Sequence, residues 1–263
     1  MDKDVRFYTE KNLDSWDEAA SVHASAFPDL EKRVAQPGFD NLNPDFAKLV
    51  NEACTAHKDV LQLCCNNGLD LLSIKRRGAG RCVGIDGSKA FIGQAKKLAK
   101  AAGEQDIHYF CHNIYQLPPQ LNSTFDCLVI TVGVINWMPD LAHFFTICQA
   151  LLKPGGTLLM EEIHPVLNMY QEGEPSVIDA SYFEKTPFCD TQGLDYFNHQ
   201  KYQAKENYWF THTMGDILNA AIGAGLTLQY IEELGKNIGN YCEDLADSPY
   251  TPPMAFVARW QRV

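Results

Sequence analysis

No apolar run in the 263 residues approaches the roughly 20 needed to span a bilayer, so no membrane-crossing helix is expected. The N-terminus, MDKDVRFYTEKNLDSWDEAA, is too charged for the apolar core of a secretory signal, and the expected location is cytoplasmic. Basic charge is scarce: 22 Lys and Arg against 33 Asp and Glu leave a net charge of −11. The short basic clusters are Lys75-Arg76-Arg77 and Lys96-Lys97, which read as solvated helix faces. A surface of this sign repels phosphate backbones, so nucleic acid is a poor partner. The nine cysteines include no C-x-x-C pair, which removes the usual zinc spacing, and no metal is expected. Several cysteines sit in apolar runs, where a reduced thiol serves as a small hydrophobe.

With 46% hydrophobic and 21% charged residues, the chain can build one large domain, or one domain with a cap. From about residue 59, short apolar runs alternate with helical patterns, which predicts an α/β fold with a parallel sheet. The strand candidates are 60–64, 82–85, 107–110, 127–132 and 157–161, with helices near 69–77, 88–102 and 141–152 between them. Ser88 is a plausible helix N-cap and Gly103 a plausible stop. Residues 1–50 read as a helical segment without strand pattern, and 51–263 as the main domain. Beyond Pro165 an irregular, aromatic-rich stretch of about 166–210 reads as a cap insertion, since so long a loop usually serves function. A helix over 213–224 and strands near 227–232 and 254–260 close the pattern.

Two strings carry chemistry. In VLQLCCNNGLDLLSI a strand runs into a helix through a turn of Asn and Gly, residues that tolerate positive φ. Ligands of open α/β sheets bind at such carboxyl ends, although a tight turn of this kind also serves structure alone. In Val83-Gly84-Ile85-Asp86-Gly87-Ser88 a carboxylate ends the second strand, where it can accept hydrogen bonds from ribose hydroxyls. An acid at a helix start is also favoured on its own account, and in isolation the two readings weigh equally. A nicotinamide-dependent oxidoreductase would carry G-x-G-x-x-G after the first strand, whereas this chain has C-C-N-N-G-L.

Taken together, the order and spacing resemble the class I S-adenosylmethionine-dependent methyltransferases from about Trp16 to the C-terminus. Residues 60–68 are similar to that family's glycine-rich first motif, and Asp86 to its ribose-binding acid. Residues 111–114 with Leu117-Pro118 resemble the adenine-contacting segment, and 125–130 the fourth strand. Leu151-Leu152-Lys153-Pro154-Gly155-Gly156-Thr157-Leu158 resembles the turn before the fifth strand. The run 133–140 and the pair His164-Pro165 resemble the subgroup that methylates small molecules. Four positions depart from the pattern: Gln62 stands in place of an acid, Cys64 and Asn66 in place of glycines, and Asn113 in place of Asp.

The resemblance implies a Rossmann-like, doubly wound, mostly parallel seven-stranded sheet with helices on both faces, a helical N-terminal segment and a cap after the fifth strand. It implies S-adenosyl-L-methionine as cofactor, bound by Leu63, Cys64, Cys65, Asn66, Gly68, Asp86, Gly87, Ser88, Asn113, Ile114, Thr131 and Gly133. The implied activity is direct displacement of a methyl group onto a small-molecule acceptor; a cofactor-binding protein that has lost catalysis is the alternative. His164 is the candidate general base, with a structural role before Pro165 weighed equally. Trp137, His164, Tyr170, Tyr208 and Trp209 are candidate acceptor contacts, against ordinary packing. Glu161 and Glu162 alternate along a strand, so at most one faces the site. Trp16, Asp17 and His23 lie on the N-terminal helix that closes over the cofactor in similar enzymes, and His212 carries no assignment. A homodimer is the candidate assembly.

Overall fold

The computed structural model describes residues 3–173, 175–198 and 201–263. Three helices lead: α1 (Lys3–Ala26), α2 (Leu30–Val34) and α3 (Pro44–Ala53). The alternating core follows as β1 (Val60–Leu63), α4 (Leu69–Arg76), β2 (Cys82–Asp86), α5 (Lys89–Ala101), β3 (Ile107–Cys111), β4 (Phe125–Ile130), α6 (Leu141–Leu151) and β5 (Leu152–Ile163). The insertion contributes β6 (Tyr170–Gln171), β7 (Val177–Ile178), β8 (Phe188–Asp190) and β9 (Asn207–Trp209). The chain closes with α7 (Met214–Gly223), β10 (Leu226–Leu234) and β11 (Ala255–Arg262).

Seven strands form one sheet in the order β10-β11-β5-β4-β1-β2-β3. Strands β1 to β5 run parallel, while β11 is antiparallel to both β5 and β10. This is the doubly wound, Rossmann-like architecture expected from the sequence. Strand order reverses between β1 and β4, which opens a crevice at their carboxyl ends.

Every residue of β1 is buried, because helices cover both faces of the sheet. One face packs Leu61, Leu128, Phe144, Phe145, Ile217 and Trp260 under α6 and α7. The other packs Val60, Val129, Leu159, Phe46, Leu72 and Ile92 under α3, α4 and α5. Ser88 caps α5, its side chain accepting from the Phe91 N–H, and Gly103 follows the helix at φ +76°.

The structure adjusts four details. Strand β5 starts at Leu152, not 157, and the β4–β5 pairing shifts register between Phe125 and Cys127 to absorb the Lys153–Gly156 turn. The insertion is not wholly irregular; it pairs β6 with β7 and β8 with β9. The boundary expected at residue 50 falls inside α3, whose Phe46 and Val50 belong to the main core. Cys54, at the end of α3, is joined to Cys127 of β4 across a Cα–Cα distance of 5.9 Å, where nine reduced thiols were expected. Among the described residues, no helix is long and apolar enough to cross a membrane.

Candidate functional site

The turn after β1 keeps a glycine-type backbone without the glycines. Cys64, Asn66 and Gly68 have φ of 52°, 49° and 77°, so left-handed residues occur at each alternate position. That region costs a side-chain-bearing residue roughly 1–2 kcal/mol, less for Asn. Strain of this kind persists only where the surroundings over-determine it. Two bonds do so here: the Cys65 N–H donates to the Ile85 carbonyl at 3.0 Å, and the Gly68 N–H to the Cys65 carbonyl at 2.8 Å. Gly68 is also required sterically, since a Cβ there would meet the Tyr109 hydroxyl at 2.4 Å.

Asp86 ends β2 beside this turn. Its Oδ2 accepts the Asn66 N–H at 2.8 Å and its Oδ1 the Ser88 N–H at 2.9 Å. Each oxygen therefore keeps a lone pair, and burial raises the carboxyl above its ordinary pKa. After β3, Asn113 accepts the Tyr115 N–H at 3.0 Å and donates to Thr9 Oγ1 at 3.2 Å, while Ile114 is buried. Leu63 is fully buried at the end of β1.

Thr131 follows β4, and its Oγ1 accepts from Gln62 Nε2 at 3.0 Å. Gly133, at φ +88°, begins a turn whose backbone is gripped by Glu162. The Glu162 carboxylate accepts the N–H groups of Gly133 (2.6 Å), Val134 (2.7 Å), Ile135 (2.9 Å) and Ile163 (2.9 Å). Glu161 points to the opposite face, where its Oε2 accepts from Asn43 Nδ2 at 3.0 Å. Alternation along β5 thus splits the pair as the sequence implied.

Helix α1 lies across these loops. Leu13 packs on Gly87, where a Cβ would come within 2.2 Å of it. Asp17 Oδ1 accepts from Ser88 Oγ at 2.5 Å and from the Ala90 N–H at 3.0 Å. Trp16 meets Trp137 edge-on at 5.2 Å, and His23 Nε2–H donates to the Leu194 carbonyl at 2.5 Å. Asn12 pairs with Tyr208 like a strand residue: Nδ2 donates to its carbonyl and Oδ1 accepts its N–H, both at 2.7 Å. The amino-acid pattern gave no sign of Asn12 or Thr9.

Residues 60–156 match a family model described as a methyltransferase domain. The chain is 32% identical over 118 residues to a ubiquinone biosynthesis O-methyltransferase from Bradyrhizobium sp., covering 45% of this chain and 44% of that protein. It is 31% identical over 126 residues to a tRNA U34 carboxymethyltransferase from Aliivibrio salmonicida, covering 48% and 36% respectively. The chain thus spans less than half the length of these curated relatives. An S-adenosylmethionine-dependent methyltransferase structure from Mesorhizobium loti superposes with a TM-score of 0.61 at 19% identity, over 83% of this chain and 96% of that one, and shares the fold. Residues 60–156 thus match a methyltransferase domain, and the chain shares the fold of S-adenosylmethionine-dependent methyltransferase structures.

Four residues singled out for the acceptor side stand in settings of their own. His164 Nδ1 accepts the Val166 N–H at 3.2 Å, and its buried Nε2 lies 2.9 Å from Glu233 Oε1 without hydrogen-bond geometry. Tyr170 sits in β6, its carbonyl accepting from the Tyr241 hydroxyl at 2.5 Å. Trp209 stacks on Phe188 at 4.3 Å inside the β8–β9 hairpin. Tyr208 turns its ring to Tyr8 at 5.1 Å.

A cavity of about 410 Å³ opens between α1, the start of α6 and the start of α7. Its lining includes Tyr8, Asp140, Lys185, Phe210, His212 and Asp216. His212 Nε2 lies 2.9 Å from the Met138 carbonyl, so the ring carries its proton there and leaves Nδ1 as the basic nitrogen. Burial lowers its pKa, favouring the neutral form.

Proposed function

We propose that this chain binds S-adenosyl-L-methionine at the carboxyl ends of β1 to β4 and transfers its methyl group to a small molecule. The observation that carries the reading is the left-handed turn at Cys64, Asn66 and Gly68 tied through the Asn66 N–H to Asp86. Other residues fit the same cofactor. Asp86 retains lone pairs for ribose hydroxyls, Ile114 and Asn113 border the adenine position, and the Gln62 and Glu161 carboxamide and carboxyl oxygens, buried without partners, face the polar end. The cofactor, when bound, supplies an electrophilic methyl on a sulfonium.

The protein's own work is then alignment and exclusion of water. Within the N-terminal segment, helix α1 acts as the lid, with Asp17 on Ser88 and Trp16 on Trp137 as its contacts. The sheet with its flanking helices acts as the catalytic body, and the insertion of about 166–210 closes the acceptor side. The 410 Å³ cavity suits a small acceptor, and an O–H or N–H acceptor would give its proton to Nδ1 of His212. In this reading His164 positions the entry into the insertion. Trp137 and Tyr208 border the closed site, while Tyr170 and Trp209 hold the insertion together. A net charge of −11 favours a small molecule over the tRNA named for one relative. A cytoplasmic location and a homodimer complete the reading, and exposed Ile178 and Phe183 are where a second copy would pack.

Calorimetric titration with S-adenosylhomocysteine tests the cofactor, and release of that product with a panel of small O–H and N–H acceptors tests the transfer. Asp86→Ala should weaken binding at least tenfold; unchanged affinity would remove the ribose role. Binding without turnover on every acceptor would favour the non-catalytic alternative.

A further inference from the structure

One fully buried side chain of the insertion is left unsatisfied. Asn207 of β9 is 0% exposed, yet neither its Oδ1 nor its Nδ2 has a hydrogen-bond partner among the described residues. Its place is fixed from two sides. The Lys205 N–H donates to Glu18 Oε2 at 3.0 Å and Asn12 holds both backbone groups of Tyr208, so Asn207 lies along the stretch of α1 that carries Trp16. The Phe210 N–H donates to the Asn136 carbonyl at 2.7 Å, which docks the end of β9 on the turn that carries Trp137. Strand alternation gives the direction of the side chain. Tyr208 turns its ring to Phe7 and Tyr8, so Asn207 leaves the opposite face. On that face Asp190 stands directly across the hairpin, and Phe188 stacks on Trp209 at the other end of the pairing. Burial, Asp190 and Tyr202 raise the Tyr196 phenol above its ordinary pKa, and the Tyr196 ring lies 6.1 Å from Trp16. The carboxamide therefore faces the aromatic group of Trp16, Trp137 and Tyr196, where α1 closes on the body.

A buried amide without partners costs stability, so it is expected where a ligand completes it. Its chemistry defines that ligand. A carboxamide offers an acceptor oxygen beside an NH2 donor. An anion would satisfy Nδ2 and set negative charge against Oδ1; a cation would satisfy Oδ1 and leave Nδ2 bare. A neutral group that carries a donor beside an acceptor satisfies both. We propose that Asn207 is a specificity-determining residue that binds the methyl acceptor through a neutral amide, or a hydroxyl beside a carbonyl. The rings of Trp16 and Trp137 favour a planar group of this kind. The cavity lined by Tyr8 and Phe210 lies on the other face of β9, so Asn207 supplies a recognition point that the cavity does not. Naming the ligand as the acceptor rests on the transfer reading above; the subsite itself does not.

Three probes of similar shape test this: benzamide is neutral with both functions, benzoate only accepts, and benzylammonium only donates. Calorimetry on the full chain saturated with S-adenosylhomocysteine would compare them on wild type and on Asn207→Leu, a near-isosteric apolar change. Wild type should bind benzamide about tenfold or more tightly than either charged probe, and Asn207→Leu should remove that preference. Affinity for S-adenosylhomocysteine should differ less than twofold between the two proteins. The ligand-free melt gives a second readout. Removing two unsatisfied atoms should raise the melting temperature of Asn207→Leu by about 2 °C or more, whereas loss of a structural bond would lower it. A lower melt, no benzamide binding at millimolar concentration, equal binding of all three probes to wild type, or a preference that survives in the variant would overturn the proposal. Tighter binding of benzylammonium would overturn it too, by assigning the subsite to Asp190 opposite. Failure of S-adenosylhomocysteine to bind wild type would overturn the cofactor reading, and the benzamide preference, measured on the ligand-free chain, would still decide the subsite.

Discussion

Replacing Glu162 by Gln changes one atom at a carboxylate that holds four backbone N–H groups. Oε1 accepts from Gly133 and Ile163, Oε2 from Val134 and Ile135. Whichever way the new amide turns, its NH2 faces two backbone donors and leaves both unpaired. Each buried donor without a partner costs about 1–3 kcal/mol, so two cost about 2–6 kcal/mol before relaxation. The turn from Gly133 is at the protein surface on one side, and water entry should bring the net loss to about 3 kcal/mol. Urea unfolding followed by circular dichroism would measure that loss. Hydrogen exchange would localise it, with faster exchange at Val134 and Ile135 than at the centre of β4. The same turn carries Trp137, so S-adenosylhomocysteine affinity should fall as well. A variant within 1 kcal/mol of wild type, with unchanged protection at both amides, would refute the view that this carboxylate anchors the turn.

The remaining predictions concern charge, latch and base. Glu161 is raised from an ordinary carboxyl value to about 7, so its contribution to stability is fully present below about pH 4.5 and is lost as pH rises through 7. The ligand-free protein should lose about 3 kcal/mol from this group between pH 4.5 and 8, and Glu161→Gln should flatten the curve by that amount in urea titrations. Asn12→Ala removes both bonds to the Tyr208 backbone and should cost about 1–2 kcal/mol, with faster proteolytic cleavage within 166–210. His212→Gln should lower turnover of an O–H acceptor about 100-fold or more with little change in cofactor affinity, whereas His164→Gln should lower the melting temperature more than turnover. The opposite pattern would return the base to His164.

The order of strands was legible because apolar runs and helical periods alternate without interruption from residue 60, and burial on both faces makes those runs continuous. Asp86 was legible too, since the end of a strand fixes where a carboxylate stands relative to the neighbouring turn. What sequence could not convey is which polar atoms are left without partners after packing. His164 precedes a short helical turn and His212 the helix α7, and only coordinates separate a ring whose Nδ1 is held by a backbone N–H from one whose Nδ1 is available. Asn12 lies 196 residues from its partner Tyr208, a contact that no local period announces. The departures from the first motif show the same limit in sharper form. Read as letters, Cys64 and Asn66 remove glycines and Gln62 removes an acid. In three dimensions Cys64 and Asn66 still adopt left-handed backbone, and Gln62 donates to Thr131 Oγ1 at 3.0 Å and reaches Asp70 Oδ2 at 3.5 Å. The turn is therefore preserved at the level of backbone torsion and not at the level of residue identity. That is why weakening the turn should require a change at Asp86, which holds it through the Asn66 N–H, more than restoration of Gly at 64 or 66.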